Sequence, residues 1–341
     1  MSLSNIELGW SPHFDAQRTP EMIDLVPARV TEIQRDRLRT LSETGSAELQ
    51  TQSETGEFAV GDWVMTDGTW ALHRLQPHTE IKRRAPGKMS RIQRIASNVD
   101  TLAIVTSCNA DFNPARLERY LALASTAGCL PLVVLTKADQ SDDPEGYKRT
   151  AERLSPLVTA LTVNATDQED AQRLTPWANK AQTLALVGSS GVGKTTLRNE
   201  LTGEQAETAG IREDDARGRH TTTYRSLVRT LAGGWLIDTP GMRELQLSDA
   251  ADGIDAVFSD LAELANACKF RDCGHESEPG CAIQAAIRKG DMDQAQLDRW
   301  NKLKREDLYN SETIAEARQR GRAFSKMVRD ITSQPRGKRP R

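Results

Sequence analysis

No run of about 18 apolar residues occurs anywhere in the chain, which leaves no candidate for a membrane-spanning helix. The opening stretch, MSLSNIELGW, has neither the basic start nor the apolar core of a secretory signal, so a cytoplasmic location is expected. Cysteine is scarce, with five among 341 residues. In an intracellular chain that number argues for thiols or metal ligands rather than a disulfide framework. Net charge is nearly absent too, at −3, so the average says nothing about nucleic acid and only local clusters can. With 38% hydrophobic and 27% charged residues, the composition is that of a globular protein long enough for roughly two or three domains.

What the chain does contain is Leu184 to Leu197, LALVGSSGVGKTTL. An apolar run, Leu184 to Val187, feeds into Gly188-Ser189-Ser190-Gly191-Val192-Gly193-Lys194-Thr195, which is G-x-x-x-x-G-K-T, and a helical pattern follows. Strand, glycine loop and helix in that order make a phosphate loop. Gly188 and Gly193 let the backbone curl so that successive N–H groups converge on phosphate oxygens. Lys194 supplies a point charge at the β and γ phosphates, the Thr195 hydroxyl ligates Mg²⁺, and Thr196 lies beside it in the expected site. The helix beginning here adds the positive end of its dipole.

Residues 1–24 mix Pro, His, Asp and Arg without a period and read as a mobile leader. From Ala28 onward short alternating segments (ARVTEIQ, AELQTQ, DWVMTDG, WALHRLQP) are separated by turn residues. They predict a small antiparallel β domain over 25–88, of the oligonucleotide/oligosaccharide-binding (OB) type, with an SH3-like barrel as the alternative. A basic connector follows, with Lys82, Arg83, Arg84, Lys88, Arg91 and Arg94; it reads as a solvated linker unless its neighbours bind nucleic acid.

From Asn98 the rhythm is α/β, with strands at Thr101–Thr106, Leu130–Leu135 and Ala160–Val163 and helices at Pro114–Ala127 and about Pro144–Leu154. Such alternation implies a parallel sheet covered on both faces, here over 89–249. The second strand ends in Thr136-Lys137-Ala138-Asp139, one letter from the guanine-reading N-K-x-D. A fixed carboxylate at Asp139 can accept from the guanine ring N–H and exocyclic amine, which adenine does not offer in that arrangement. Lys137 can lay its stem over the base. Asn164-Ala165 is the expected companion loop, with the Ala165 N–H aimed at the guanine carbonyl. Downstream, Trp235-Leu-Ile-Asp238-Thr-Pro-Gly241 closes an apolar strand in D-x-x-G, so that Asp238 would hold Mg²⁺ through water and the Gly241 N–H would sense the γ-phosphate. Gly218-Arg-His-Thr-Thr-Thr223, after a polar aperiodic segment, reads as a switch loop whose Thr222 completes the metal shell. The base-reading loops thus precede the phosphate loop, the reverse of the usual order, which a circular permutation explains.

Toward the end of the chain, Cys268, Cys273, His275 and Cys281 fall within 14 residues. Three thiolates and one imidazole at that spacing predict a closed tetrahedral zinc site in a helical domain over 250–332. Cys108 and Cys129 sit in apolar contexts and read as core. The stretch from Arg318, with its basic tail at 333–341, carries Arg318, Arg320, Arg322, Lys326, Arg329, Arg336, Lys338, Arg339 and Arg341 against the single acid Asp330, a pattern suited to phosphate backbone.

With these motifs laid out, the chain resembles the RsgA (YjeQ) family of circularly permuted GTPases, from the barrel through G-S-S-G-V-G-K-T, G-R-H-T-T-T, D-T-P-G and the Cys-Cys-His-Cys cluster. The resemblance implies an OB barrel, a permuted GTPase core and a zinc domain. It further implies a monomer that binds GTP and GDP and contacts 16S rRNA on the small ribosomal subunit. Its slow GTP hydrolysis would be stimulated by that subunit during late maturation. Two departures stand out: Thr136 replaces the commoner Asn, and Asn164 stands where a Ser is frequent. The position that often holds a water-orienting Gln is Met242, so a substitute group is needed. His220 is the candidate, a role the resemblance supports. An RNA-binding GTP sensor, a permuted GTPase of the large subunit and an ATPase are the alternatives.

Overall fold

The computed structural model describes residues 3–84, 92–204, 225–239, 247 and 249–311. Its first five strands are β1 (Val26–Ile33), β2 (Arg37–Ser42), β3 (Gly45–Thr51), β4 (Trp63–Thr66) and β5 (Trp70–Arg74). They close in the order β1-β2-β3-β5-β4-β1. All neighbours are antiparallel except β3 and β5, which pair in parallel. This is an OB-type barrel, and closure leaves it without a free edge. Alternation places Ala28, Val30, Leu38, Leu49, Val64 and Ala71 inside, with Phe58 closing the end.

The described parts of the segment read as a connector, 82–84 and 92–94, belong instead to an antiparallel ribbon of β6 (Glu80–Arg84) and β7 (Ile92–Ser97). Its basic character is partly neutralised. Glu80 takes Arg74 at 2.8 Å, Lys82 at 3.0 Å and Arg94 at 2.8 Å. Lys88 and Arg91 lie outside the described residues.

Through the antiparallel pairing of β1 with β12, the barrel continues into a sheet section of β8 (Thr101–Ser107), β9 (Leu130–Thr136), β10 (Thr159–Thr162), β11 (Thr183–Gly188), β12 (Ser226–Arg229) and β13 (Trp235–Asp238). Its order is β10-β9-β8-β11-β13-β12, parallel throughout except for β12. Strands β8 and β11 are buried along their whole length, which is why both read as unbroken apolar runs. Helices Pro114–Ala127, Pro144–Glu152 and Lys194–Thr202 flank it. The first starts where Asn113 accepts the Arg116 N–H at 3.1 Å and Pro114 fills the first turn, as its sequence predicts. The chain lays down β8, β9 and β10 in one direction, then returns to the middle for β11 and builds the other way. The order reverses between β8 and β11, at whose carboxyl ends an α/β sheet forms its binding crevice.

Residues 3–24 are not a loose leader. Leu8, Phe14 and Met22 are buried, and the Trp10 ring stands edge-on to Trp63 at 4.9 Å. Arg29, only 1% exposed, donates to the Leu8 carbonyl (2.6 Å), the Asn98 carbonyl (3.3 Å) and the Thr183 hydroxyl (2.7 Å). One guanidinium therefore joins leader, barrel and sheet. Sparse apolar residues without a period gave no sign of this, because they fill a groove rather than build an element.

Four helices follow, Ala251–Val257, Ser259–Asn266, Ala282–Lys289 and Gln294–Ser311. The first packs on Pro114–Ala127, and Gly253 makes the approach possible: a methyl group there would lie 2.2 Å from the Thr126 hydroxyl and 2.5 Å from the Ala122 carbonyl oxygen. The last helix sends Arg299 to the buried Glu118 carboxylate at 2.8 and 2.9 Å and Glu306 to Arg119. The rest of the helical domain predicted to residue 332, and the basic tail, lie outside the described residues. Cys108 and Cys129 are buried core thiols, as expected.

Candidate functional site

The loops after β8, β9, β10, β11 and β13 open on one end of the sheet, since those strands run parallel. At its centre is Gly188, where β11 becomes the glycine loop. A methyl group there would sit 2.1 Å from the Val105 carbonyl oxygen of β8, and the residue has φ +142°. Only glycine satisfies both conditions. Gly191 and Gly193 also have positive φ, at 77° and 94°, so the loop curls as its sequence predicts. Val192 points inward, 1% exposed, anchoring the curl in the core with Ala165, Leu197 and Leu201. The helix Lys194–Thr202 starts directly after Gly193, so Lys194, Thr195 and Thr196 form its first turn. Lys194 Nζ donates to the Gly188 (2.9 Å) and Ser189 (2.5 Å) carbonyls and is held over the loop.

Two of the base-reading candidates, Thr136 and Ala165, reach this same loop. Thr136, fully buried at the end of β9, places its hydroxyl 2.6 Å from the Val192 carbonyl and 3.0 Å from the Thr106 carbonyl. A hydroxyl has one proton for two acceptors, and the shorter contact goes to the phosphate loop. The position where N-K-x-D has an amide thus uses a hydroxyl for the same brace. A side chain at Gly193 would meet Ala165 Cβ at 3.6 Å and Thr136 Cβ at 3.7 Å. Phosphate loop, Thr136 and Ala165 are one contiguous structure. Lys137 adopts a left-handed backbone (φ 55°) before the short turn Ala138–Gln140 that carries Asp139. Asn164 accepts from the Thr166 N–H (3.1 Å) and hydroxyl (2.8 Å), tightening the loop around Ala165.

Asp238 ends β13 opposite Leu186 of β11, while the neighbouring Thr239 hydroxyl donates to the Leu186 carbonyl at 2.7 Å. Burial pushes the Asp238 carboxyl above its usual range, and Arg198 and Lys194 pull it only partly back. A half-buried carboxylate that feels the charges of Arg198 and Lys194 is a natural partner for Mg²⁺, which would restore the ionised form. Thr195 begins the helix at the same sheet end, so these two residues fit the metal that accompanies a nucleoside triphosphate. Thr222, Gly241 and His220 lie outside the described residues.

Two residues near this site have no motif to announce them. Asp170 accepts the Asn164 N–H at 2.5 Å, and Arg198 stands one helical turn beyond Lys194 with its charge felt at Asp238. In the sequence Asp170 looks like an ordinary first-turn helix acid. The only hint at Arg198 is its i,i+4 spacing from Lys194.

The second candidate site is metallic. One ligand atom each from Cys268, Cys273, His275 and Cys281 lie within 4.8 Å of one another. A tetrahedral zinc with ordinary bond lengths puts its sulfurs about 3.8 Å apart and each sulfur about 3.6 Å from the nitrogen. Here Cys268 and Cys281 are 3.9 Å apart, and His275 Nδ1 is 3.6 and 3.7 Å from them. The cluster fits a structural zinc. Backbone N–H groups of Ala282 and Gln284 point at the Cys268 and Cys281 sulfurs, each at 3.4 Å, offsetting thiolate charge. Burial holds the His275 imidazole below its usual pKa and so in the neutral form a metal needs.

Comparison with known proteins agrees with this geometry. The family described as RsgA GTPase matches residues 75–248. A small ribosomal subunit biogenesis GTPase RsgA of Mesorhizobium japonicum is 49% identical over 318 residues, covering 91% of this chain and 92% of its own. A small ribosomal subunit biogenesis GTPase RsgA 2 of Vibrio parahaemolyticus is 44% identical over 333 residues, covering 97% and 93%. Among solved structures, YjeQ from Thermotoga maritima superposes with a TM-score of 0.61 at 21% identity, over 83% of this chain and 99% of that one. YloQ, described as a circularly permuted GTPase, gives 0.59 at 20% identity, over 87% and 99%. These two share the fold.

Proposed function

The chain belongs to the RsgA GTPase family, and from that premise we propose that it binds the small ribosomal subunit through 16S rRNA and couples GTP hydrolysis to late subunit maturation and to its own release. It works in the cytoplasm as a monomer. Among the described residues no helix is long and apolar enough to cross a membrane. OB barrel, zinc domain and basic tail supply the RNA contacts, and the GTPase domain between them supplies the timing.

In the reaction, water attacks the γ-phosphorus of GTP and GDP leaves with inorganic phosphate. Asp139, Lys137 and the Ala165 N–H read guanine. The N–H groups of Ser189 through Gly193 cradle the phosphates, and Lys194 neutralises charge that spreads over the γ-oxygens in the transition state. Thr195, Thr222 and Asp238 would hold the Mg²⁺ that accompanies the nucleotide, and that ion would supply further electrostatic stabilisation of the phosphate charge. Gly241 follows the γ-phosphate. His220 orients the attacking water once the subunit is bound. The observation that carries this reading is the Thr136 to Val192 hydrogen bond, which ties base-reading and phosphate loops into one pocket.

The test is co-sedimentation with each purified subunit in GDP and in a non-hydrolysable GTP analogue, alongside turnover with and without subunits. The expected result is analogue-dependent pelleting with the small subunit and stimulated turnover there alone. Pelleting with the large subunit instead would overturn the proposal. His220→Ala is expected to abolish the stimulated rate while GTP affinity stays within about twofold. Stimulation unchanged in that variant removes His220 from the mechanism.

A further inference from the structure

We propose that Asp170 is a positioning residue for guanine recognition: its carboxylate fixes the Asn164–Ala165 loop so that the Ala165 N–H meets the guanine oxygen. This rests on the reading that this loop faces the base. The loop leaves β10, whose exit is set when the Val163 N–H donates to the Leu135 carbonyl of β9 at 2.8 Å. After Val163 the backbone has no ladder partner. The next N–H, that of Asn164, goes to Asp170 Oδ2 at 2.5 Å. The carboxylate is itself held: Arg173 Nη1 donates to Asp170 Oδ1 at 2.7 Å and to the Thr162 carbonyl at 2.9 Å.

The loop is thus clamped from the helix that follows it. Asp167 caps that helix by accepting the Glu169 and Asp170 N–H groups at 2.9 and 3.1 Å, which places the Asp170 side chain back over the loop. The Asn164 side-chain oxygen is taken up by the Thr166 N–H and hydroxyl. What remains for the guanine oxygen is the next peptide N–H, on Ala165, whose methyl group would meet a side chain at Gly193 at 3.6 Å. A peptide plane has few ways to aim its N–H once its neighbour is pinned. Asp170 sets that aim without touching nucleotide.

The experiment compares Kd for GDP, IDP and 6-thio-GDP, with the full-length protein and its Asp170→Ala and Asp170→Asn variants. IDP keeps the C6 carbonyl oxygen and lacks the exocyclic amine. In 6-thio-GDP a weakly accepting sulfur replaces the oxygen alone. Asp170→Ala is expected to weaken GDP and IDP alike by about tenfold and 6-thio-GDP by less than about twofold. Asp170→Asn keeps an oxygen acceptor for the Asn164 N–H and is expected to recover most of the loss. Equal losses for all three ligands would mean a general structural role and overturn the proposal, as would no loss for any. Wild-type protein that binds 6-thio-GDP as tightly as GDP would instead overturn the reading of the loop itself, so the two failures are distinguishable.

Discussion

At Thr136 a single proton joins the base-reading strand to the phosphate loop. Replacing Thr136 with Val keeps the shape, removes that proton and leaves the buried Val192 carbonyl without its donor. A buried acceptor so orphaned costs about 1–3 kcal/mol. The cost falls on the loop that binds nucleotide, so Thr136→Val is expected to raise the Kd for GDP about tenfold, measured with a fluorescent GDP analogue. Asp238 gives a pH prediction. Burial raises its pKa in the folded protein, so at a given pH it is more protonated than a free aspartate. Mg²⁺ needs the ionised form. Mg²⁺-dependent GTP affinity should therefore be full above the raised pKa and fall as pH drops through it, a window above the usual aspartate range. Titrating GTP affinity against pH with and without Mg²⁺ checks this, and Asp238→Asn should lose the pH-dependent component. The glycine loop with Lys194 and the Cys-His cluster were legible because their chemistry requires fixed neighbours in sequence. Asp170 and Arg198 were not, because each reaches its partner from a helix face, Asp170 the Asn164 N–H and Arg198 the Asp238 carboxyl, and nothing in one dimension encodes which partner that face will meet.

Elements were legible where one periodicity ran uninterrupted. The buried strands β8, β9 and β11 and the helix Pro114–Ala127 match their predicted spans within a residue or two. The ribbon β6–β7 was hidden because its register shifts between Ile81 and Lys82, which breaks the alternation a strand would otherwise show. Packing between elements was hidden altogether. Gly253 illustrates why. It lies inside the helix Ala251–Val257, where Ala in its place would stabilise an isolated helix by roughly 0.5–1 kcal/mol. Against Pro114–Ala127 the added methyl would overlap the Thr126 hydroxyl and the Ala122 carbonyl oxygen. The second is backbone and cannot swing aside. Overpacking of this kind costs roughly 1–3 kcal/mol, so the contact outweighs the propensity. Gly253→Ala is therefore expected to lower stability, read as a lower urea midpoint. A raised midpoint would mean that the two helices separate freely.

For the whole molecule, permutation moves the ends of the GTPase fold to new places, and the flanking parts then hold those places together. On one side Arg299 and Glu306 fasten the last described helix to Pro114–Ala127. On the other, the leader closes over the junction of barrel and sheet: the Trp235 indole N–H donates to the Glu7 carbonyl at 2.8 Å, and Arg29 donates to Leu8. A loose leader and a clasp make opposite predictions for a variant lacking residues 1–24. If the leader were mobile, its removal would leave the unfolding midpoint unchanged. As built, it takes away Leu8 and Phe14, whose full burial is worth about 1.5–3 kcal/mol each. It also exposes Trp63 and strips the buried Arg29 of one carbonyl partner, with burial already drawing that guanidinium down to about 10. The expected loss is about 4 kcal/mol in urea unfolding monitored by tryptophan fluorescence. The loss should appear in barrel and sheet together, because Arg29 of the barrel strand β1 bonds across their junction to Asn98 and to Thr183 of β11.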